Sequence, residues 1–445
     1  MAVVVAATWL AVDDTDSPEG MCTTYLARLL LEDLSDYDLL GLPRLVRLNP
    51  NIPWKTRGNA AVCIPLGKGR GRRHLCGNIG GSPLHYYESG TALDPREVLS
   101  RAAKVLESNA RFECDMTNPG IVATIRKPPA SLYWRAVRTI MPLKDVEQML
   151  RACGASWLKY KNGRGVIGAS SAISWRPRDR TWEVIAYRSP IKFGSERRID
   201  PESVIAMDKA TKHTFNNYDY ENGHVAITPA SPCPILFGIR GDSSRELLKA
   251  RAMIRGEDQE SWILYLTNQA TEEHVVSKRI TDFHAGDSVR AMATVLAPAR
   301  AIRGGHVLLK VGDGAEIDAA FYEPSRGFRD VARSLIPGDE TVLIGSVRDS
   351  PRSLNVEKVR IVRLAREVRK VHNPVCKECG KSMGSLGFGQ GFRCKKCGAK
   401  APYKAAEFGM TVRGITPGWY EPPVASRRHL HKPIRRMSRV DINKI

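Results

Sequence analysis

The sequence predicts a multidomain α+β chain whose last third turns into a small β-barrel and then a cysteine-rich metal module. Three observations predict it. Strand-like and helix-like apolar patterns alternate to about residue 265, the texture of packed sheet and helix layers. From Ser288 the apolar runs shorten and are split by glycine-bearing turns. Four of the ten cysteines then fall as two CxxC pairs near the end of the 445-residue chain.

Val3–Val12 reads as a buried strand and Met21–Leu34 as a helix, with Tyr25, Leu26, Leu29, Leu30 and Leu34 forming its apolar stripe. Leu45–Leu48 is a second strand. Asn49–Pro53 is irregular because each of its two prolines restricts itself and its predecessor. Ala60–Leu66 is a third strand. Residues 67–95 turn rich in Gly, Arg, His and Pro and read as a surface insertion. Pro95–Asn109 is helical, Ile121–Ile125 is a strand after the Asn118-Pro119-Gly120 turn, and Ser131–Ile140 and Leu143–Cys153 are further helices. Gly163–Ala169 is either a phosphate-cradling turn or a tight bend before a helix; Trp182–Tyr187 is a strand.

In the barrel region, Val289–Leu296, His306–Val311 and Ile317–Tyr322 are followed by a short helix, Phe328–Leu335, and two more strands, Thr341–Arg348 and Leu354–Val362. Three strands, a helix and two strands is the order of an OB-fold, a barrel that often binds nucleic acid. Cys376-x-x-Cys379 and Cys394-x-x-Cys397, with Gly380 and Gly398 directly behind them, supply four thiolates in the spacing of a closed zinc ribbon. Such a site has no open coordination position, so its Zn²⁺ is structural. Arg393, Lys395, Lys396 and Lys400 surround it with positive charge, and Phe388, Phe392 and Tyr403 are candidates for stacking on bases.

Charge narrows the function further. Residues 366–445 hold 18 Lys/Arg against 5 Asp/Glu, so +13 of the formal +21 net charge lies there. A localised excess of this kind favours a polyanionic partner; the alternative is a solvated tail. Hydrophobic residues make up 42% and no apolar run is long enough to span a bilayer, so no membrane association is expected. Without a basic n-region before the first apolar run, no secretory leader is expected, and the expected compartment is the cytoplasm. Cys22, Cys63, Cys76, Cys114, Cys153 and Cys233 are scattered singly, as reduced thiols are.

The chemistry concentrates at Asp13-Asp14-Thr15-Asp16, where an apolar strand ends and a helix begins. Carboxylates this crowded repel one another and are stabilised by a cation such as Mg²⁺, which in turn neutralises nucleotide phosphates. Gly20 permits close backbone approach at the helix start, and Thr23 and Thr24 lie in its first turn, within reach of such phosphates. The plainer alternative is an acidic turn with a helix cap. Lys55 and Arg57 are candidate phosphate ligands and Asn59 a candidate to orient a metal or base; a solvated basic turn is the alternative. No Walker A sequence is present.

Together these residues resemble a known family. Asp13–Ser17 with Gly20–Leu26, Arg44–Asn59, Thr117–Gly120, Gly163–Ala169, Ile185–Arg188, Pro232–Gly241, Gly304–Val307, Gly389–Cys397 and Arg427–Leu430 are similar to segments of the archaeal 2-agmatinylcytidine synthetases that act on the AUA-reading isoleucine tRNA. The resemblance implies an ATP-dependent enzyme that attaches agmatine to C2 of the wobble cytidine, position 34, in the CAU anticodon, through a phosphorylated cytidine. It implies a kinase-like catalytic domain (1–63 and 143–208) interleaved with a ferredoxin-like domain (64–142 and 209–268), then the OB-fold (269–365) and the zinc ribbon with its basic tail (366–445). By position it makes Asp13, Asp14 and Asp16 the metal and catalytic carboxylates and Thr23 the threonine beside the transferred phosphoryl group. Gly20, Thr24, Lys55, Arg57 and Asn59 become ATP-site contacts. Cys376, Cys379, Cys394 and Cys397 hold the zinc. An acidic partner is expected for the agmatine guanidinium, with Asp208 and Glu196 the candidates; no obligate protein partner is implied.

Two other classes remain open on the sequence alone. A non-catalytic RNA-binding protein built on the barrel and ribbon would turn over no ATP, and a metal-dependent RNA-processing nuclease would cleave RNA without it.

Overall fold

The computed structural model describes residues 7–443. The first of its strands is Thr8–Asp13; the earlier part of the expected Val3–Val12 strand, up to Ala6, lies outside the described residues. All six residues of Thr8–Asp13 are buried because the sheet is covered on both faces. Leu10 and Val12 point into one apolar core, and Trp9 and Ala11 into the other. The first core is closed by helices Thr23–Asp33, Pro95–Asn109, Pro201–Ala210 and Ser244–Met253. The second is closed by Ala130–Ala136, Leu143–Ala152 and Gly165–Ser174.

The sheet has eleven strands. Its main path runs Ser156–Lys159, Gly120–Thr124, Thr8–Asp13, Ala60–Ile79, Arg44–Arg47, Ser261–Thr267, Thr181–Tyr187, Ile235–Gly241 and Thr214–Phe215. Most neighbours are antiparallel, so this is an α+β layer and not a parallel α/β sheet; Arg44–Arg47 against Ser261–Thr267 is a parallel exception. Residues 67–95, expected as a surface insertion, are more ordered than that description. Ala60–Ile79 continues without a break and turns back through Ser82–Thr91, giving a β-ribbon whose far end rejoins the sheet at Ser261↔Ile79. Glycine and arginine masked the strand pattern there because both faces of the ribbon's middle meet solvent. The third expected helix ends early, at Ala136.

The second unit is a closed barrel of five strands, Ser288–Val295, Val307–Gly312, Glu316–Phe321, Glu340–Arg348 and Ser353–Arg363. Taking these as first to fifth, the circuit runs first, second, third, fifth, fourth and back to first, with the third–fifth pairing parallel. Phe328 and Ala332 of the short helix Phe328–Arg333 plug its core. A ladder of Val368–His372 with Glu407–Met410 carries the small cysteine module.

The chain then returns. Gly418–Tyr420 adds to the last barrel strand, and residues 421–443 run back onto the large sheet, where Ala270 and Glu272 amides donate to the carbonyls of His429 and Leu430. Much of the basic tail is therefore folded structure. Arg427 pairs with Glu421, Lys432 with Asp179 and Asp441, and Arg436 with Asp179 and Asp242. Neither a solvated tail nor a free polyanion-binding segment describes these residues. No helix among the described residues is long and apolar enough to cross a membrane.

Candidate active site

Interior strand Thr8–Asp13 delivers Asp13 at its end beside the first turn of helix Gly165–Ser174. The approach is possible only because residue 168 is glycine: a Cβ there would lie 1.7 Å from Asp13 Oδ2. Gly165 is needed for the same reason, since its Cβ would meet the Gly120 nitrogen at 2.3 Å and the Asp13 carbonyl at 2.6 Å. Gly163–Ala169 is thus the tight bend into a helix, and two of its glycines seat that helix on the acid strand.

Burial, followed by the neighbouring Asp14 charge, holds the Asp13 carboxyl well above the usual carboxylate range. Asp14 adopts a left-handed backbone, φ 57°, which re-aims the chain after the strand. Burial pushes its carboxyl up to about 6 even though Arg164 Nε donates to it at 2.5 Å. The Asn118 amide donates to the Asp14 carbonyl and the Thr117 hydroxyl to the Asp16 carbonyl, so the loop is braced from the Thr117–Gly120 turn.

Asp16 has a different job. It accepts from the Thr23 amide at 2.6 Å and the Thr23 hydroxyl at 3.1 Å, satisfying the first amide of helix Thr23–Asp33 from the loop before it, and it pairs with Arg57 at 3.6 Å; the N-cap position itself is Cys22. Asp16 thus braces the helix start without being its N-cap, and all three aspartates line the smaller cavity. Among the described residues only the four cysteines form a group of three or more ligating side chains with all ligating atoms within 4.8 Å. The three aspartates do not converge as a set.

Two adjoining cavities share a wall of Asp16, Thr23, Arg57, Asn59 and Ala60. The smaller, of about 100 Å³, is lined by Asp13, Asp14, Lys55, Arg164 and Gly168. The larger, of about 420 Å³, is lined by Thr24, Arg47, Glu183, Arg240, Arg427 and His429. Burial draws the Lys55 ammonium below its ordinary range, and that ammonium donates to the Pro50 carbonyl. The Arg57 guanidinium ties down the carbonyls of Ser17 and Met21, fixing the loop that carries Gly20. Gly20 itself lines neither cavity; its φ of 145° and the Pro232 carbonyl, 3.1 Å from a Cβ there, make it a turn residue. Asn59, at φ 43°, donates to the Asn49 carbonyl.

Sequence reasoning singled out neither Arg164 nor the Glu183–Arg240–Gln269–His429 group of the larger cavity. Glu183 is buried between Arg240, at 3.0 Å, and Gln269, which also meets His429 at 3.0 Å. Arg164, Arg240 and His429 lie inside the resembling segments Gly163–Ala169, Pro232–Gly241 and Arg427–Leu430, but only the pairing of distant strands and the docked tail brings the larger-cavity group together. Of the two acids considered for a guanidinium, Asp208 accepts from Asn217 and Tyr220 and lines neither cavity. Glu196 lines a shallow depression that shares the 228–231 wall of the larger cavity.

In the cysteine module, Cys376 and Cys397 sulfurs lie 3.4 Å apart, as do those of Cys379 and Cys394. Tetrahedral Zn²⁺ with bonds of about 2.3 Å asks for sulfurs roughly 3.8 Å apart, so the donor set fits that ion. The amides of Cys397 and Lys396 pull the Cys394 thiol down to about 6, favouring the thiolate. Gly380 and Gly398, at φ 66° and 77°, close the two knuckles. Of the three aromatics expected to face bases, Phe392 is fully buried against Tyr403 and forms the module's own core; Phe388 is 97% exposed.

Three family profiles match: the TiaS TCKD domain over residues 9–162, the TiaS FLD domain over 163–274, and the TiaS C-terminal zinc ribbon domain over 373–408. The chain is 38% identical over 437 residues to the isoleucine-tRNA 2-agmatinylcytidine synthetase TiaS of Methanocaldococcus jannaschii, covering 96% of this chain and 98% of that one. It is 40% identical over 449 residues to the enzyme of the same name from Methanosarcina mazei, covering 97% and 98%. A crystal structure of TiaS in complex with isoleucine tRNA and ATP superposes with a TM-score of 0.83 at 34% identity. One of TiaS with isoleucine tRNA, AMPCPP and agmatine superposes with 0.81 at 32%; each covers 97% of this chain and 98% of the other.

Proposed function

The chain belongs to the family of isoleucine-tRNA 2-agmatinylcytidine synthetases, and from that premise we propose how its own residues carry the reaction. It is an ATP-dependent enzyme that joins agmatine to the wobble cytidine of isoleucine tRNA; the RNA-binding-only and nuclease readings are not favoured. The observation that carries the assignment of roles is the meeting of Asp13, Asp14, Thr23, Lys55 and Arg57 around one cavity at a strand end and a helix start.

In this reading the smaller cavity takes the nucleotide phosphates. Asp13 and Asp14 are the pair fitted to Mg²⁺, an ion that commonly uses one or two carboxylates with substrate phosphates and water completing its shell. Their raised carboxyls fit that role, because a cation offsets the cost of ionising them in a buried place. When bound, the ion supplies charge neutralisation for the phosphoryl group. Lys55 adds positive charge, and Asp16 orients Thr23 against the phosphates through its two hydrogen bonds. Gly20 and Arg57 shape the loop, Asn59 belongs to the shared wall, and Thr24 lines the larger cavity.

The cytidine and agmatine enter from the larger cavity. The C2 oxygen takes a phosphoryl group from ATP as the phosphoanhydride bond breaks and its oxygen leaves with the rest of the nucleotide; the amine of agmatine then adds at C2 and gives up a proton, and phosphate departs with that oxygen. Phosphorylation is required because the C2 oxygen alone is a poor leaving group. Glu196 is the acid carried forward for the guanidinium, in preference to Asp208. Segments 1–63 and 143–208 form the kinase-like unit, interleaved with a ferredoxin-like unit of 64–142 and 209–268; the barrel circuit supports an OB-fold over 269–365, and 366–445 carries the zinc ribbon. The protein acts in the cytoplasm.

Incubation with ATP, Mg²⁺, agmatine and CAU-anticodon isoleucine tRNA, followed by mass spectrometry of the nucleosides, tests this. A mass increase on cytidine 34 is expected; folded protein that produces none refutes it.

A further inference from the structure

The β-ribbon of residues 60–91 takes no part in either cavity beyond Ala60. Its middle carries Lys68, Arg70, Arg72 and Arg73, all exposed. None of these four side chains makes an ion pair or a side-chain hydrogen bond among the described residues, whereas many of the molecule's other arginines are paired. Glu88 is the one carboxylate in the stretch 67–91, and it pairs with His74 at 2.9 Å. The ribbon's aromatic side chains are already engaged: His74 stacks on Tyr86 with ring centroids 5.1 Å apart, and Tyr87 packs into the second core and under Gly69.

What remains for a partner is charge without base-stacking groups, held on a rigid two-stranded frame. At the ribbon's root Pro65 pairs with Trp9, and there the exposed charge ends. Lys127 and Arg44 pack on the Trp9 ring, 3.3 Å and 4.4 Å from its centroid, and burial draws both below their ordinary range, Lys127 to about 6, so the free charge is confined to the ribbon's middle. From these observations we propose that the 60–91 ribbon is an RNA-docking arm whose Lys68, Arg70, Arg72 and Arg73 contact the phosphate backbone of a helical stem of the substrate tRNA. Side chains of this kind fix register on a duplex without reading sequence, which is what an enzyme needs to hold a tRNA body while one loop base is treated elsewhere. The inference rests on the substrate reading above.

The test replaces Lys68, Arg70, Arg72 and Arg73 together with Ser in the full chain. Because all four are exposed and unpaired, the thermal midpoint is expected to stay put. Binding to full-length CAU-anticodon isoleucine tRNA and to its isolated anticodon stem-loop is measured from 50 to 300 mM KCl, and adduct formation is measured in parallel. For the full tRNA, the slope of log K against log salt is expected to fall by roughly 2–4, as each lost phosphate contact removes a little under one. Affinity at physiological salt is expected to fall at least about tenfold, with adduct KM raised and kcat kept at saturating RNA. A salt slope unchanged on both RNAs overturns the arm; a fall confined to the full tRNA puts the contact on a stem outside the anticodon arm, and an equal fall on the stem-loop puts it on the anticodon stem. The two readings separate: wild-type protein that forms no adduct refutes the substrate assignment, whereas wild-type turnover with an unaltered quadruple variant refutes only the arm.

Discussion

Replacing Asp14 with Asn should remove activity and at the same time stabilise the protein free of ligand. In an unfolded chain this carboxyl titrates near 3.8; in the fold burial pushes it up to about 6. Between those values the unfolded state releases its proton first, so wild-type stability falls as pH rises from about 4 to about 6 and stays lowered above that. At about 1.4 kcal/mol per pH unit, the ionised side chain costs the fold about 3 kcal/mol at neutral pH. Asn is uncharged, can still accept from Arg164, and is among the residues most tolerant of φ 57°. Urea unfolding at pH 7.5 without divalent cation should therefore show Asp14→Asn more stable by up to about 3 kcal/mol, with the advantage vanishing near pH 4. Mg²⁺ and ATP should narrow the gap by stabilising the wild type selectively, by about 2.7 kcal/mol at a hundredfold excess over Kd. Adduct formation should drop by about 10²–10³-fold. A variant less stable than wild type at pH 7.5, or an advantage that does not change between pH 4 and 6, would refute the reasoning.

Further expectations follow from the same geometry. Gly168→Ala drives a methyl group into the Asp13 carboxylate, so it should lose about 1–3 kcal/mol in urea unfolding together with most activity, despite the usual helix preference for Ala. Normal activity in that variant would show that the helix can shift away from the acid strand. Phe388→Ala should leave the melting profile unchanged and raise the Kd for tRNA at least about fivefold, the lower bound for one stacked base. Phe392→Ala should instead collapse the cysteine module, seen as zinc loss by elemental analysis. Cys394→Ser should also lose zinc while nucleotide binding, measured by calorimetry, is kept, because the module shares no residue with either cavity.

Much of this arrangement is legible in the sequence, for a physical reason. A strand covered on both faces is apolar throughout, as at Thr8–Asp13, and barrel strands alternate between core and solvent; both signals are local. Two CxxC knuckles carry their own geometry. The ribbon strand was hidden because, with both faces in water, nothing forces an apolar period on residues 67–75. The docked tail is hidden for a related reason: Arg427, Lys432 and Arg436 are half-buried in ion pairs with Glu421, Asp179 and Asp242, partners up to 257 residues away, so composition reads them as free charge. Phe392 looked like an RNA contact because a module this small borrows an aromatic for its core.

The acid cluster is the place where local rules are broken together. Asp14 takes a left-handed backbone, Asp13 is ionisable and buried, and helix Gly165–Ser174 accepts two glycines where Ala would suit an isolated helix better. Each departure alone is destabilising, and all three serve one end, which is to bring two carboxylates and a helix start against the same small cavity. A fold with no ligand to gain there would relax them at no loss. Asp16 makes the contrast. It lines both cavities, but its charge is already met there by the Thr23 amide and hydroxyl and by Arg57. The division inside Asp13-Asp14-Thr15-Asp16 is therefore one of cost: two residues that destabilise the fold line the smaller cavity with too little to offset their burial, and the third lines it with its hydrogen bonds and ion pair already made.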